Sequence, residues 1–408
     1  MSLHKKERLL LVGNGMAGMR TIDELLVRDR DRYDIEVIGA EPHPNYNRIM
    51  LSSVLAGEKR LEDIVLHSRQ FYAQNNIALT TGDAARSIDT AAKTVTLESG
   101  RSLTFDKLIL ATGSRPVVPP LPGLELPGNC AFRDIADLQR MQEASRNGTH
   151  AVVIGGGLLG LEAAFGLMRL GMKVTVLHLM QTLMERQLDE AAGYLLQRDL
   201  ITRGINVITL AETESILGNE RASAVRLSDG RELTADLVVF AIGVRPNIDL
   251  ARKSGLEVNR GIKVDDTMRS THSAIYAVGE CVEHRGMTFG LVAPLWLQAK
   301  TCAAALCDET NVAFTPPANY TSLKITGIDV FSAGVLGARD DGDEEVTLRD
   351  AGSRHYKKLV IRDDKLVGAI LYGEISDGPW FVEMIESGQD ISAVRDRLLF
   401  GRALAQAA

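Results

Sequence analysis

Two short apolar runs, each ending at a glycine, form the clearest pattern in the chain. Residues 9–12 (LLLV) and 151–154 (AVVI) have the length and continuous apolar character of buried strands. Each is followed at once by a glycine-rich turn, GNGMAG at 13–18 and GGGLLG at 155–160, and then by a run suited to a helix. The pattern predicts two strand–turn–helix units, separated by 155 − 13 = 142 residues.

A second pair of matching blocks indicates that these units are duplicates. SGRSLTFD at 99–106 precedes LILATGSRP at 108–116, and DGRELTAD at 229–236 precedes VVFAIGVRP at 238–246. The glycine in the first block of each pair predicts a hairpin tip that leads into a strand. Four features in the same order predict two homologous nucleotide-binding units of the α/β class.

The spacing G-x-G-x-x-G assigns a physical role to each of the three glycines, provided that a strand precedes the turn and a helix follows it. The first glycine permits the tight turn, the second lets a pyrophosphate approach the backbone, and the third lets the helix pack against the strand. The helix N-terminus then offers N–H groups to the phosphates. We therefore predict pyrophosphate contacts at two sets of glycines: Gly13, Gly15 and Gly18, and Gly155, Gly157 and Gly160.

The next strand of each unit should end in an acid that binds a ribose hydroxyl. In the first unit Glu41 stands in this position, whereas the second unit has His178. A neutral His178 accepts from a ribose hydroxyl, a protonated one favours a 2′-phosphate, and a surface histidine without a role is equally compatible. No arginine follows until Arg186, which favours NADH.

Composition narrows the classes of partner. The chain has 408 residues, enough for two to four domains, and a net charge of −7 without a basic patch, which argues against nucleic-acid and anionic-membrane partners. No apolar stretch reaches the length of a membrane span. The four cysteines form no C-x-x-C pair and suit a reducing compartment. The expected location is cytoplasmic.

Three further sets of residues are expected to take no part in the chemistry. Cys281 and His284 make half of a metal site at most, so no metal site is predicted. Cys302 and Cys307, in an alanine-rich run suited to a helix, are expected in a core. Trp380 and Phe381 in the last domain could cover the flavin or a partner site, but ordinary core packing is the favoured interpretation.

Several longer motifs carry a family resemblance. ATGSRP (111–116), AIGVRPN (241–247) and YAVGE (276–280) resemble the FAD-dependent pyridine nucleotide-disulfide oxidoreductase superfamily, whose members have two dinucleotide-binding domains. More narrowly, VGNGMAG (12–18) and EPHPNYNRIMLS (41–52) resemble the N-terminal flavin module of NAD(P)H nitrite reductase large subunits. The resemblance implies two Rossmann-like domains, with the FAD domain (1–119 and 246–315) split by an NAD(P) domain (120–245). A C-terminal α/β interface domain would cover 316–408.

The resemblance also implies site residues. Those implied for FAD are Gly13, Gly15, Met16, Ala17, Gly18, Glu41, Arg48, Ala85, Ala111, Thr112, Gly113, Gly279, Glu280, Leu295 and Trp296. Those implied for NAD(P) are Gly155, Gly157, Leu158, Leu159, Gly160, Glu162, His178 and Gly243. Glu162 would lie near the nicotinamide, but the lysine that relatives often pair with it is replaced by Ser53. No catalytic acid, base or nucleophile is implied, since a hydride passes directly between the cofactors.

The cysteines decide the expected direction of electron flow. Residues 42–48, where oxidases and peroxidases of this superfamily carry a redox cysteine, contain none. We therefore expect an outward route to an iron–sulfur, sirohaem or rubredoxin-type acceptor, as in the flavin module of assimilatory nitrite or nitrate reduction. The alternatives are an NAD(P)H-rubredoxin or ferredoxin reductase and, in another class, an NAD(P)H-sensing flavoprotein with little turnover. The chain would be either a piece of a longer subunit or a stand-alone reductase, and a homodimer is compatible with both.

Overall fold

A computed structural model describes residues 6–317, 320–323, 325, 327–338, 342–350 and 352–405. The helices are α1 (Met16–Arg28), α2 (Leu51–Leu55), α3 (Arg69–Gln74), α4 (Ile135–Asn147), α5 (Leu158–Arg169), α6 (Glu190–Thr202), α7 (Asp249–Lys253), α8 (Val292–Leu306), α9 (Gly378–Ser387) and α10 (Arg402–Ala405). Shorter 3₁₀ helices cover Arg48–Met50, Leu61–Ile64 and Arg395–Phe400.

The strands follow the same chain order. They are β1 (Glu7–Val12), β2 (Tyr33–Gly39), β3 (Asn45–Tyr46), β4 (Val65–His67), β5 (Ala78–Thr81), β6 (Ala85–Asp89), β7 (Thr94–Leu97), β8 (Ser102–Thr104), β9 (Lys107–Leu110), β10 (Ser114–Pro116), β11 (Asn129–Ala131), β12 (His150–Ile154), β13 (Lys173–Leu177), β14 (Asn206–Ile208), β15 (Thr213–Gly218), β16 (Ala222–Leu227), β17 (Glu232–Thr234), β18 (Leu237–Phe240), β19 (Val244–Pro246), β20 (Ile262–Val264), β21 (Ile275–Ala277), β22 (Val282–His284), β23 (Met287–Thr288), β24 (Tyr320–Ser322), β25 (Val330–Gly334), β26 (Asp343–Asp350), β27 (His355–Arg362) and β28 (Lys365–Tyr372).

The chain divides into two compact units. Within the described ranges, the first takes in residues up to 50, 60–115 and 244–317, and the second takes in 51–59, 116–243 and residues from 318 onwards. Each unit is described by itself below. The division into four segments at 119/120, 245/246 and 315/316 stays a prediction.

The first unit is built on a parallel sheet with the strand order β21-β9-β1-β2-β5. Residues 9–12 form its central strand and are almost completely buried, as expected for a parallel strand covered on both faces. Helices α1 and α8 pack against each other beside this sheet. Cys302, on α8, lies in the hydrophobic core, as predicted, whereas Cys307 just after α8 is only partly buried and packs against that core.

The second unit repeats this plan. Its parallel sheet has the order β11-β18-β12-β13-β14, with residues 151–154 in the central strand. Both predicted hairpin tips are confirmed: Gly100 (φ +88°) joins β7 to β8, and Gly230 (φ +87°) joins β16 to β17. Glycine adopts this left-handed conformation without the strain that a side chain would bring. The structure therefore bears out the internal duplication.

The end of the second unit is an antiparallel sheet of order β24-β25-β28-β27-β26. Its core contains Trp380 and Phe381 on α9, which confirms their predicted structural role. Asp189 lies just before α6 in the same unit. The Tyr356 hydroxyl on β27 donates to its Oδ2 at 2.5 Å. Burial, together with this carboxylate, raises the pKa of Tyr356, so the hydroxyl keeps its proton and remains a donor.

These features confirm the predicted α/β class with two Rossmann-like units. Among the described residues, no helix combines the length and the apolar character needed to cross a membrane.

We predict that Phe381→Ala lowers the free energy of unfolding by about 3–5 kcal/mol, because it opens a cavity in the α9 core. Phe381 is 0% exposed, whereas Phe400 in the same part of the chain is 58% exposed. Phe400→Ala is therefore the matched control and should change the free energy by about 0.5 kcal/mol or less. Urea denaturation of both variants measures the difference. Equal losses would contradict the assignment of Phe381 to a core.

Candidate functional site

The first glycine turn is shaped by the close approach of two backbone segments. Gly13 has φ +114°, and a methyl group added to it would lie 2.1 Å from the carbonyl oxygen of Ala111. A methyl group on Gly18 would lie 2.7 Å from the carbonyl oxygen of Gly13. Gly15 differs, because nothing lies within 4 Å of such a group there. Two glycines therefore serve packing, and the third borders open space.

The second turn has the same geometry. A methyl group on Gly155 (φ +122°) would lie 2.3 Å from the carbonyl oxygen of Ala241, and one on Gly160 would lie 1.9 Å from that of Gly155. Gly157 again borders open space. Both turns reproduce the three roles that the motif requires.

Each turn leads directly into a helix that no side chain caps. Gly15 is the N-cap of α1 and Gly157 that of α5, and neither helix has a side-chain cap. The backbone N–H groups of a helix's first turn then face outward beside an open glycine, an arrangement that suits a pyrophosphate. Both turns fit a dinucleotide. The predicted contact residues Met16, Ala17, Leu158 and Leu159 form the first residues of these helices.

Other predicted FAD residues gather where the strands of the first sheet end. Thr112 Oγ1 donates to the carbonyl oxygen of Asn247 at 2.7 Å, and the next residue, Gly113, has φ +64°. Ser114 Oγ donates to Glu280 Oε2 at 2.7 Å. The carboxyl ends of parallel strands are the usual ligand-binding edge of such a sheet.

Gln298 on α8 adds a polar group to this edge that the sequence did not reveal. The amide N–H of Gly279 donates to Gln298 Oε1 at 2.7 Å, which fixes the orientation of the side chain. Gln298 is fully buried, and its Nε2 has no hydrogen-bond partner among the described residues. An unpaired buried donor costs about 1–3 kcal/mol. A site with such a donor fits a cofactor that supplies oxygen acceptors, as FAD does.

The predicted ribose acid and the predicted pyrophosphate arginine lie together. Glu41 Oε2 accepts from the Tyr46 hydroxyl at 2.7 Å, and Glu41 Oε1 accepts from Arg48 Nη2 at 2.5 Å. The Arg48 guanidinium also lies 5.4 Å from the centre of the Tyr46 ring. These contacts hold the carboxylate and the guanidinium in one place, and both side chains remain partly exposed.

Three other predicted FAD residues have mainly packing contacts in the structure. Ala85 begins β6, pairs with Leu97 and packs against a hydrophobic core. Leu295 and Trp296 lie in the first five residues of α8. Leu295 is buried in a core, while Trp296 is half-buried, with the Arg20 guanidinium 5.8 Å from its ring centre. Their contact with the flavin stays a prediction.

A network of polar side chains fixes the first glycine turn, and sequence reasoning missed it. Asn45 Nδ2 donates to the carbonyl oxygen of Asn14 at 3.0 Å, and the Tyr72 hydroxyl donates to Asn14 Oδ1 at 2.7 Å. His67 Nδ1 lies 2.9 Å from Asn45 Oδ1, and His67 Nε2 lies 2.9 Å from Asp23 Oδ1. His67 therefore bridges the Asn45 amide and the Asp23 carboxylate through its two ring nitrogens. Asp23 and His67 thus orient Asn45, which holds Asn14 between two of the turn's glycines.

The predicted nicotinamide residue Glu162 is a buried position on α5. Ser53, which stands where relatives often carry a lysine, lies in α2, and α2 packs against α5. Gly243, also predicted for NAD(P), has φ +113°, and its carbonyl oxygen accepts from the amide of Val117 at 2.9 Å.

His178 is a buried residue, so the interpretation of it as a surface histidine is wrong. It is 7% exposed, and its Nδ1 lies 3.1 Å from the amide nitrogen of Gly156. The packing role of Gly156 was also not predicted, because the G-x-G-x-x-G motif leaves this position unspecified. A methyl group there would lie 2.5 Å from Leu183 Cδ2 and 2.8 Å from His178 Cγ. The fold of the following loop buries His178, and this could not be read from the strand pattern.

The cysteines are poor candidates for redox chemistry. Cys130, Cys281 and Cys302 are buried, and Cys307 is partly buried. Burial raises the pKa of Cys130 to about 12 and raises the pKa of the other three thiols as well. The thiolate is the reactive form, so the raised pKa values disfavour redox chemistry at these thiols. No cluster of three or more potential metal ligands occurs among the described residues.

Two dinucleotide turns on duplicated parallel sheets define a class of oxidoreductase that uses a flavin and a nicotinamide nucleotide. The family model described as "Pyridine nucleotide-disulphide oxidoreductase" matches residues 7–299, and the chain belongs to this family. Its members and structural neighbours are FAD-binding, NAD(P)H-dependent reductases, which confirms the predicted enzyme class and cofactors. A second model, "Rubredoxin NAD+ reductase C-terminal domain", matches residues 319–389.

Similar proteins cover nearly the whole chain. A "Nitrite reductase [NAD(P)H]" of Bacillus subtilis (strain 168) is 47% identical over 95% of this chain and 48% of its own length. An "Assimilatory nitrate reductase electron transfer subunit" of the same organism is 44% identical over 97% of this chain and 51% of its own length. The chain therefore spans about half the length of these relatives. The crystal structure of NADH:rubredoxin oxidoreductase from Clostridium acetobutylicum matches with a TM-score of 0.80 and 26% identity, covering 97% of this chain and 100% of that one.

We predict that Gly13→Ala abolishes stable FAD binding, because the added methyl group would collide with the carbonyl oxygen of Ala111. Gly100→Ala is the matched control, since Gly100 also has a positive φ but nothing lies within 4 Å of the added group. The measurement is the amount of FAD per chain after purification. Equal FAD content in the two variants would show that backbone strain, and not the collision, decides binding.

We predict that His67→Gln weakens FAD binding by about five- to tenfold, because Asn45 loses the imidazole that orients it and Asn14 is held less firmly. Equilibrium titration of the apoprotein with FAD measures the dissociation constant. His43→Gln is the control, since His43 contacts Asn14 only through its backbone carbonyl oxygen, which the substitution retains. An unchanged dissociation constant in His67→Gln would show that the network does not govern the turn.

Proposed function

We propose that this chain oxidises NADH or NADPH through FAD and delivers the electrons to a separate redox protein that carries an iron–sulfur or rubredoxin-type centre. The physiological setting that we propose is nitrite or nitrate reduction. The observation that carries the direction of electron flow is the state of the thiols: all four cysteines are at least partly buried, and their pKa values are raised.

Flavin enzymes that act on disulfides or peroxide rely on a reactive thiolate. Residues 42–48, which follow the first ribose acid, contain no cysteine. Cys281 is the cysteine closest in sequence to the predicted FAD residues Gly279 and Glu280, but its thiol is fully buried and lies 3.3 Å from the carbonyl oxygen of Val278. These facts support an outward route for the electrons.

The setting rests on the relatives. Two proteins whose names describe nitrite reduction and electron transfer in nitrate assimilation are similar over 95% and 97% of the chain. Because the chain spans about half of each, we propose that it corresponds to their flavin-bearing part. A sirohaem-bearing component as the final acceptor and a homodimeric assembly are further parts of this proposal.

The role of the protein in the reaction is to bind and orient. When bound, FAD accepts a hydride from the nicotinamide and can pass electrons on. We propose that the two glycine turns hold the pyrophosphates and that Glu41 binds the FAD ribose. Arg48 and Glu280 are proposed to contact the phosphate and ribityl regions, and Glu162 to lie near the nicotinamide. No side chain needs to move a proton for the hydride to transfer.

A rubredoxin or ferredoxin reductase is the second candidate function. The observation that favours it is the match of residues 319–389 to the C-terminal domain model of rubredoxin NAD+ reductase. This candidate shares the first half of the reaction and differs only in the acceptor.

We expect NADH to bleach the flavin absorbance completely under anaerobic conditions. The reduced protein should then transfer electrons to ferricyanide and, faster than to rubredoxin, to an iron–sulfur and sirohaem nitrite reductase component. Cys281→Ser should react at the same rate as the unaltered protein, because its thiol takes no part. A flavin that stays oxidised with both nucleotides would contradict the proposal and favour the sensing alternative. Faster reduction of rubredoxin would favour the second candidate.

A further inference from the structure

The second glycine turn lacks the acid that usually binds the adenosine ribose, and the structure shows what stands there. His178 directly follows β13, at the usual position of the ribose acid. Its Nε2 lies 3.0 Å from the carbonyl oxygen of Thr182 and 3.2 Å from Glu185 Oε2. Both ring nitrogens are therefore engaged within the protein.

The partners determine which nitrogen of His178 carries the proton. The amide of Gly156 can only donate, so Nδ1 accepts and has no hydrogen. Nε2 faces two oxygen acceptors and must carry the hydrogen. This neutral imidazole has no lone pair left for a ribose hydroxyl. His178 consequently cannot replace the missing acid while these contacts persist, and it acts instead as a positioning residue.

The contacts of His178 fix the loop that carries Glu185. The amide of Met184 donates to the carbonyl oxygen of Gly156 at 3.0 Å, and His178 donates to the carbonyl oxygen of Thr182. These bonds tie the residues on either side of Leu183 to the glycine turn. Leu183 is itself buried against Gly156. Glu185 is thereby held next to the turn, although it lies seven residues beyond His178 in sequence (185 − 178).

Glu185 has the chemistry that the motif lacks. Its side chain is 34% exposed, and one of its oxygens, Oε2, faces His178 Nε2. Its other oxygen, Oε1, has no hydrogen-bond partner among the described residues. Because His178 is neutral, the negative charge of the carboxylate is not cancelled by it. A partly exposed, oriented carboxylate of this kind accepts hydrogen bonds from hydroxyls and repels a phosphate.

We propose that Glu185 supplies the ribose-binding carboxylate of the second dinucleotide site and selects NADH over NADPH. The carboxylate accepts from the adenosine ribose hydroxyls of NADH, whereas the 2′-phosphate of NADPH meets a like charge. This inference rests on the proposed function, since it assumes that the second turn takes the nicotinamide nucleotide. The residue to which we assign the cofactor preference lies outside the glycine motif, and it does not stand at the position where the motif expects an acid.

The test compares Glu185→Gln with the unaltered protein. Titration calorimetry with NAD⁺ and NADP⁺ gives the two dissociation constants, and flavin reduction gives kcat and KM for NADH and NADPH. We expect the preference for NADH, expressed as a ratio of kcat/KM values, to fall by about tenfold or more. The kcat for NADH should change little, because the adenosine end lies away from the reacting atoms. Only protein that retains full FAD content is compared.

Two further variants separate the local effect from general ones. Glu185→Asp keeps the charge and should retain most of the discrimination against NADPH. Glu190→Gln removes an equal charge from the start of α6, where the carboxylate binds Gln181, and should leave the preference unchanged. An unchanged preference in Glu185→Gln, or an equal shift in Glu190→Gln, would overturn the inference.

Failure of this inference can be told apart from failure of the proposed function. If neither nucleotide reduces the flavin of the unaltered protein, the proposed function fails. If the flavin is reduced but the preference does not depend on Glu185, only the assignment of Glu185 fails. Loss of NADPH use in Arg186→Ala, with NADPH the better substrate of the unaltered protein, would assign the preference to the neighbouring arginine and overturn our inference.

Discussion

The structure depends on a steric constraint that occurs twice. At each dinucleotide turn, the backbone after the first strand passes so close to another strand's end that no side chain fits between them. The contact joins Gly13 to Ala111 in the first unit and Gly155 to Ala241 in the second. It brings two strand ends and a helix N-terminus together at one edge of a parallel sheet, which creates a place for a pyrophosphate.

The two turns have the same backbone conformation, but different side chains hold them in place. In the first, Asp23 and His67 orient Asn45, which binds the backbone of Asn14. In the second, a single buried histidine accepts directly from the backbone of Gly156. The two units therefore share the backbone geometry that suits a dinucleotide, while their supporting side chains differ. In the function that we propose, the first site retains a resident cofactor and the second releases its nucleotide in every turnover, so the two turns need not be supported in the same way.

The chemistry of the thiols complements this arrangement. A family named for disulfide reduction is represented here by a chain whose cysteines are buried or partly buried and whose thiol pKa values are raised. The fold therefore keeps two turns that suit dinucleotides, while burial disfavours a reactive thiolate at its cysteines. The relatives in nitrite reduction and nitrate assimilation have about half of their length beyond the part that this chain matches.

The sequence alone determined the duplicated α/β architecture, both glycine turns and the hairpin tips at Gly100 and Gly230. These features are local, because the signals for strand, turn and helix lie within a few residues of one another. A turn that needs a positive φ can also be predicted from the presence of glycine itself. Only the tertiary structure decided that His67 supports the first turn, since its partners lie 22 and 44 residues away in sequence. It likewise decided that His178 is buried and that Glu185 stands beside it. Burial and hydrogen bonding depend on where separate segments of the chain meet. The pattern of residues within one segment does not contain this information.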